Sequence, residues 1–215
     1  MFHVKHIPPD AAGDMAALGV VPEGTVIDRL CEFAGLVERG LGGRFGNLLG
    51  PAEMGRLWNR HILESVAYVP FLDEDWPVVD IGSGAGFPGI VLALLGHETT
   101  LVESRRKRFL FLVWVRESMK LGNTLVLNGR VEECGPFPGP VSFTARAVED
   151  PRGLLRRISV ISREEFSLTV RTGEAYSLPP VDVVRKLPSP PLDRPGFMVQ
   201  FRHPGAGTHR GNGGE

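Results

Sequence analysis

The stretch Asp80-Ile81-Gly82-Ser83-Gly84-Ala85-Gly86-Phe87-Pro88-Gly89 decides the fold. Val78–Ile81 ahead of the glycines is a short apolar strand ending in an acid, and Ile90 to Leu95 behind them is an apolar helix. Strand, glycine-rich turn and helix in that order make a nucleotide-binding arrangement. Glycines let backbone approach a ligand and reach φ values other residues avoid, and a helix N-terminus offers unpaired N–H groups. Outward from the loop, Thr99–Glu103 is a second strand, Arg105 to Leu121 an amphipathic helix and Thr124–Asn128 a third strand. That is βαβαβ, the first half of a doubly wound parallel sheet. A fourth strand, Val141–Ala145, precedes Arg146; a helix from Pro151 to Ile158 and a fifth strand, Phe166–Arg171, follow. Val181–Leu187 and Gly196–Phe201 are expected to close the sheet as a pair.

The loop fits two spacings. Gly82-x-Gly84-x-Gly86 suits a methyltransferase, whereas Gly84-x-Gly86-x-x-Gly89 suits a dinucleotide site. Three features favour the first. Asp80 stands just before the loop, where a carboxylate suits the ammonium and sulfonium of S-adenosylmethionine and would repel a pyrophosphate. Pro88 falls in the first helical turn and has no N–H to give a phosphate. No chain remains after the sheet for the substrate domain of a dehydrogenase. Glu103, at the end of the second strand, is placed to hold ribose hydroxyls under either reading. The expected fold class is α/β: a Rossmann-like, class I S-adenosylmethionine-dependent methyltransferase with a doubly wound, mostly parallel sheet.

Ahead of the sheet, Val26-Ile27, Leu30, Phe33-Ala34, Val37 and Leu41 recur at helical spacing from Thr25. Pro51–Leu72 reads as a second helix, with Leu57, Ile62 and Val66-Ala67 on one face and Arg56, Arg60 and His61 beside it. The division expected is a loose leader over 1–24, a small N-terminal helical cap over 25–76, a methyltransferase domain over 77–202 and a disordered glycine-rich tail over 203–215. Of the 215 residues, 42% are hydrophobic and 23% charged, and the net charge is −1, so any basic surface must be a local patch. Two cysteines, Cys31 and Cys134, do not make a disulfide framework, and no Cys/His cluster has metal-binding spacing. No apolar run is long enough to span a bilayer, and the N-terminus does not read as a signal peptide. The expectation is a cytoplasmic monomer without metal.

Three further segments accompany the loop: Trp58-Asn-Arg-His61-Ile-Leu-Glu-Ser65, Gly129-Arg-Val-Glu-Glu133 and Thr144-Ala-Arg-Ala147. Together they resemble the bacterial ribosomal RNA small-subunit methyltransferase G family over roughly Leu48 to Phe201. The resemblance implies an enzyme that uses S-adenosylmethionine to methylate N7 of one guanosine in the decoding-region loop of 16S rRNA, with the rRNA or the small subunit as partner. It implies that Gly82 and Phe87 contact the cofactor, that Val131 and Glu132 flank its adenine, and that Arg146 lies at the boundary of cofactor and substrate. With the motif residues, the cofactor set is Asp80, Gly82, Gly84, Gly86, Phe87, Glu103, Val131, Glu132 and Arg146. Arg60 and His61 belong to the segment implied to face RNA. One departure stands out: the family's fifth strand closes on a lysine and a glycine, whereas here the stretch is Val170-Arg-Thr-Gly173, and arginine is not a simple stand-in for lysine. The link from Arg171 to Val181 is also short for a parallel crossover.

Guanine N7 carries an in-plane lone pair and no proton, so no general base is nominated. Arg146 is the choice for orienting guanine O6 or a flanking phosphate, its planar fork matching such acceptors. Arg105-Arg-Lys-Arg108 reads as the solvated start of a helix rather than a phosphate patch, and Phe109, Phe111 and Trp114 as core rather than stacking residues. Rival readings are a methyltransferase acting on a small molecule or protein, a nicotinamide-dependent oxidoreductase, and an RNA-binding chain without catalysis.

Overall fold

The computed structural model describes residues 7–41, 44–45, 47–146, 150–162, 164–173 and 182–205. Seven strands form one sheet: β1 (Val78–Ile81), β2 (Thr99–Val102), β3 (Thr124–Leu127), β4 (Val141–Arg146), β5 (Phe166–Thr172), β6 (Val183–Leu187) and β7 (Gly196–His203). Their order is β3-β2-β1-β4-β5-β7-β6. β1 to β5 are mutually parallel, and β7 runs antiparallel to both β5 and β6. Strands of a parallel sheet are covered on both faces, so the small hydroxyl residues that alternate along β4 and β5 are buried with their apolar neighbours. Accordingly Val141 to Ala145 in β4 are all buried, as are Val78 to Asp80 in β1. The arrangement of the last two strands, open in the sequence, is thus a β7 seated between β5 and β6; residues 174–181, which lead from β5 to β6, lie outside the described residues.

Helices cover the two faces. On one, α5 (Gly89–Leu94) and α6 (Arg106–Ser118) share a core with the N-terminal elements: Phe33, Leu57, Ile62, Ile90, Leu101 and Phe111 are fully buried in it. On the other, α8 (Pro151–Ile161) buries Leu154 and Ile158 against Phe143, Phe166 and Leu168. Phe111 packs in the first core, and Trp114 stacks on Phe45 at 5.3 Å. Arg105, Arg106 and Lys107 are exposed, as a solvated helix start requires.

The N-terminal part departs from expectation in two ways. Residues 7–24 are not loose: α1 (Ala11–Ala16) buries Ala11 and Met15, and Leu18 and Val20 join the same core. Its Asp14 accepts a 2.7 Å hydrogen bond from the Trp58 indole, so this segment is tied to the cap as well as packed on it. The helix α2 (Val26–Gly40) forms as the periodicity demands. The stretch 51–72, read as one helix, is instead a turn α3 (Pro51–Met54), a π-helical turn Leu57–Ile62, the short α4 (Leu63–Val66) and a 3-10 turn Val69–Phe71. The wider π turn brings Trp58, His61, Ile62, Leu63 and Glu64 inside together, more of the circumference than one face of a regular helix buries. At the other end β7 continues to His203, one residue into the stretch read as tail, and residues 206–215 lie outside the described residues.

Candidate functional site

Growth of the sheet changes direction at β1, whose neighbours are β2 and β4. Ligands of open α/β sheets bind outside the carboxyl ends of the strands at such a point. The glycine loop leaves β1 there. Gly86 has φ +93°, and a Cβ on it would lie 2.7 Å from Ile90 Cγ1 and 3.0 Å from the Phe33 ring, so neither conformation nor space admits a side chain. Gly82, at φ +71°, has nothing within 4 Å of where a Cβ would be: the loop is bare toward the strand ends.

Of the carboxylates assigned to the cofactor, Asp80 is turned away from the cavity and Glu103 is partly engaged by backbone. Asp80 is fully buried and turned into the loop, accepting from the Gly89 N–H and the Thr144 hydroxyl, each at 3.1 Å. Burial raises its carboxyl to about 6, against the pull of those hydrogen bonds and of Arg146. Its role in this structure is to fix the start of α5, because Gly89 leaves room for the carboxylate beneath the helix. Asp80 thus faces the loop and β4 rather than the place expected for the ligand's positive end. Pro88 likewise precedes α5 rather than lying in its first turn. Glu103 accepts from the Gly84 N–H at 2.9 Å and the Arg105 N–H at 2.7 Å, bracing loop against strand. A carboxylate has about four lone-pair sites, so these two bonds leave acceptor capacity on it.

Beside the loop is a cavity of about 220 Å³ lined by Ile81, Gly82, Val102, Ser104, Gly129, Arg130, Val131, Glu132, Leu154 and Arg157. Gly82, Val131 and Glu132, separate in sequence, meet here. Ser104, Leu154 and Arg157 were missed by sequence reasoning, and α8 gave no motif to mark the last two. α7 (Val131–Cys134), a single turn also missed, sets its first residue into the wall; Glu133 accepts from the Arg130 N–H at 3.0 Å and starts the turn. The apolar sides (Ile81, Val102, Val131, Leu154) with polar groups at the rim suit a flat heteroaromatic ring carrying a hydroxylated sugar. Arg157 pairs with Glu132 at 3.2 Å across that rim.

Phe87 and Arg146 stand apart from this cavity, at a second cluster above β4 and β5. The Arg146 guanidinium lies 5.4 Å from the Phe87 ring centre, and the His61 ring 5.2 Å from it. His61 is 4% exposed, so it is a wall of the cluster rather than part of an RNA-facing surface. Its Nε2–H donates to Glu53 at 3.1 Å, while Nδ1 has no partner. Burial and the Arg146 charge lower its pKa to about 4 despite Glu53, so it is a neutral imidazole at neutral pH. Arg60 also donates to Glu53, at 2.7 Å, and lies 4.0 Å from Asp193. The segment around His61 is thereby locked by acids that its own motif does not contain.

Glu64 completes the cluster. It is 4% exposed and sits 3.1 Å from Arg171, yet its Oε1 makes no hydrogen bond: the pair is close in distance but not aligned. Burial pushes its carboxyl up against the pull of Arg171, Arg146 and Arg60. Arg171 also donates to the carbonyls of Thr172, Arg194 and Pro195, and a Cβ on Gly196 would lie 2.6 Å from its Cζ. The departure from lysine is thus accommodated by an acid below and a glycine beside it. Tyr68, fully buried, donates to the Ala145 carbonyl at 2.7 Å and accepts from the Arg171 N–H at 3.2 Å, joining the ends of β4 and β5.

A seven-stranded sheet of this order, with a bare glycine loop over a cavity at its switch point, defines a Rossmann-like methyltransferase fold. Solved structures agree on the fold. A mutant of MtNAS matches with TM-score 0.54 and 18% identity over 94% of this chain and 85% of that one. A SAM dependent methyltransferase from Aquifex aeolicus matches with TM-score 0.51 and 16% identity over 74% and 96%. The family model described as GidB, rRNA small subunit methyltransferase G, matches residues 34–164, more than half of the chain, and the chain belongs to this family. Ribosomal RNA small subunit methyltransferase G of Mycolicibacterium paratuberculosis is 40% identical over 153 residues, 62% of this chain and 58% of that protein. The Corynebacterium diphtheriae relative of the same name is 36% identical over 134 residues, 61% and 56% of the two. The chain thus matches over little more than half the length of these curated relatives. Among the described residues no helix is long and apolar enough to cross a membrane, and no three His, Cys, Asp or Glu side chains are grouped to hold a metal.

Proposed function

We propose that this chain is an S-adenosylmethionine-dependent methyltransferase acting on N7 of a guanosine in 16S rRNA, within the small ribosomal subunit, in the cytoplasm and as a monomer. The observation that carries the reading is the cavity at the switch point, walled by Gly82, Val131 and Glu132, with Arg146 on the neighbouring strand end. The adenosine of the cofactor would lie between Ile81, Val131 and Leu154, and Glu103 would accept from its ribose on the lone pairs its backbone partners leave. When bound, the cofactor supplies an electrophilic methyl on a sulfonium. The guanine N7 lone pair takes that methyl as the sulfur–carbon bond breaks, and one positive charge passes to the purine; no proton moves.

The protein's part is therefore placement and charge management. Arg146, half-buried and held over Phe87, presents N–H donors toward the guanine O6 beside N7. His61 stays neutral above its depressed pKa and adds no positive charge beside a ring that is itself becoming cationic. Glu53 keeps it so placed, and Tyr68 holds the backbone that carries Arg146. The test is transfer of labelled methyl to small subunits that lack the modification, with free 16S rRNA alongside. Label confined to one guanosine of the decoding region, cleavable by borohydride and aniline, is expected. Label on another nucleotide, or none from a folded chain that binds the cofactor, overturns the reading.

A further inference from the structure

Glu64 is not explained by the methyl transfer derived above. It is an acid buried beside Arg171 at the end of β5, the strand next outward from the β4 that ends in Arg146, and its Oε1 has no hydrogen bond among the described residues. A carboxylate that served only as a counter-ion for Arg171 would be expected to align with that fork, since bidentate geometry is where such pairs gain most. Here the two terminal nitrogens of the guanidinium donate to the Thr172, Arg194 and Pro195 carbonyls, the Nε–H finds no partner among the described residues, and the Glu64 oxygen lies close but unbonded. Arg171 therefore draws Glu64 toward its charged form, against burial, without consuming its acceptors. A buried, unbonded acceptor is costly, and a ligand with donors would relieve it.

The base placed here by the proposed function has such donors. Guanine carries O6 next to N7, then N1–H, then the exocyclic N2 amine. That sequence of acceptor, donor, donor runs away from N7. In the protein the corresponding order from the cavity outward is Arg146, a pure donor, followed by Glu64, a pure acceptor. We propose that Glu64 and Arg146 form a subsite for the Watson–Crick edge of the substrate guanine, Arg146 donating to O6 and Glu64 accepting from N1–H and N2–H. Adenine, with a donor at C6 and an acceptor at N1, meets the wrong partner at both places. The subsite also assists the reaction. As positive charge enters the purine, N1–H becomes a stronger donor and its bond to the anion tightens, which stabilises the transition state more than the ground state.

This inference rests on the proposed function, and one experiment separates the two. Small subunits are reconstituted with guanosine or inosine at the target position; inosine lacks only the N2 amine. Wild-type protein and Glu64→Gln are compared on both, with S-adenosylhomocysteine binding by calorimetry as the check of fold. Wild type is expected to lose roughly tenfold to a hundredfold in kcat/KM on inosine, the worth of a hydrogen bond to a charged group. In Glu64→Gln the amide can accept one donor but opposes the second, so inosine is expected to be methylated at least as well as guanosine. Glu64→Asp, which keeps the charge beside Arg171 but withdraws the carboxylate by one methylene, gives the same loss of preference if the amide variant does not fold. A full inosine penalty persisting in either variant, or no penalty in wild type, overturns the subsite alone. Wild type inactive on both subunits overturns the proposed function and the subsite with it.

Discussion

Replacing Asp80 by Asn should stabilise the protein at neutral pH although it removes a buried acid that makes two hydrogen bonds. In the native state burial holds the carboxyl at about 6, against an ordinary 3.8. The native state thus binds more protons than the unfolded chain between those values, and stability falls as pH rises through that window. Above about 6 the whole cost is present, and the difference corresponds to roughly 3 kcal/mol. Asparagine keeps an oxygen for the Gly89 N–H and offers an N–H to the Thr144 oxygen, so it sheds the charge and keeps both bonds. Imperfect amide geometry would return part of the gain, which leaves about 1–3 kcal/mol in favour of the variant at pH 7.5. Urea unfolding at pH 7.5 and pH 4 measures it. The two proteins should converge at the lower pH, and cofactor affinity should change little, since Asp80 faces the loop. A variant less stable than wild type at pH 7.5, or a difference independent of pH, would refute the reasoning. Asp80→Ala, by contrast, orphans the Gly89 N–H and should cost about 1–3 kcal/mol.

Gly89→Ala would set a methyl against Leu101 and 2.7 Å from the Asp80 carboxylate, and a loss of about 1–3 kcal/mol is expected in thermal or urea unfolding. His61 should titrate near 4 by NMR; because its native pKa lies below 6.5, its contribution to stability is complete above 6.5 and is lost as pH falls toward 4. A His61 midpoint above 6 would contradict its burial. Arg171→Lys should be no conservative change: a single ammonium cannot serve Glu64 and the Thr172, Arg194 and Pro195 carbonyls together, and a loss of about 1–3 kcal/mol is expected in denaturant unfolding. Arg157→Ala should leave stability within about 1 kcal/mol, since the pair with Glu132 is largely exposed. Its effect should fall instead on cofactor binding measured by calorimetry.

The parallel half of the sheet was legible because each strand announced itself by an apolar run and each turn by glycine or an acid. The closing strands were legible as a pair, but their order in the sheet was not, because antiparallel insertion of β7 leaves no local signal. Residues 11–18 read as linker because Pro, Gly and Ala dominate their neighbourhood, yet Ala11, Met15 and Leu18 already stand at helical spacing. The π turn at Leu57–Ile62 leaves no mark in residue type, so the helix read there was continuous and His61 was assigned outward. The cavity wall was legible wherever a motif ran through it, as at Gly82 and Val131-Glu132. Leu154 and Arg157 come from a helix whose only pattern is amphipathic. For Asp80 the reading placed the residue at the strand end but its carboxylate outward: position along a strand does not fix where a side chain turns when a backbone N–H competes for it.

Tyr68 belongs to the N-terminal cap, yet its hydroxyl occupies a place between the ends of two sheet strands. Docking of the cap consequently braces the two paired strand ends that carry Arg146 and Arg171. A chain stripped of residues before the sheet would not be a smaller enzyme with a freer site. It would have two cations on paired strand ends, Arg146 opposite Arg171, without the phenol that ties those ends to the cap. Exchange of caps between relatives could preserve the reaction only if the incoming segment carried a phenol to the same two backbone groups.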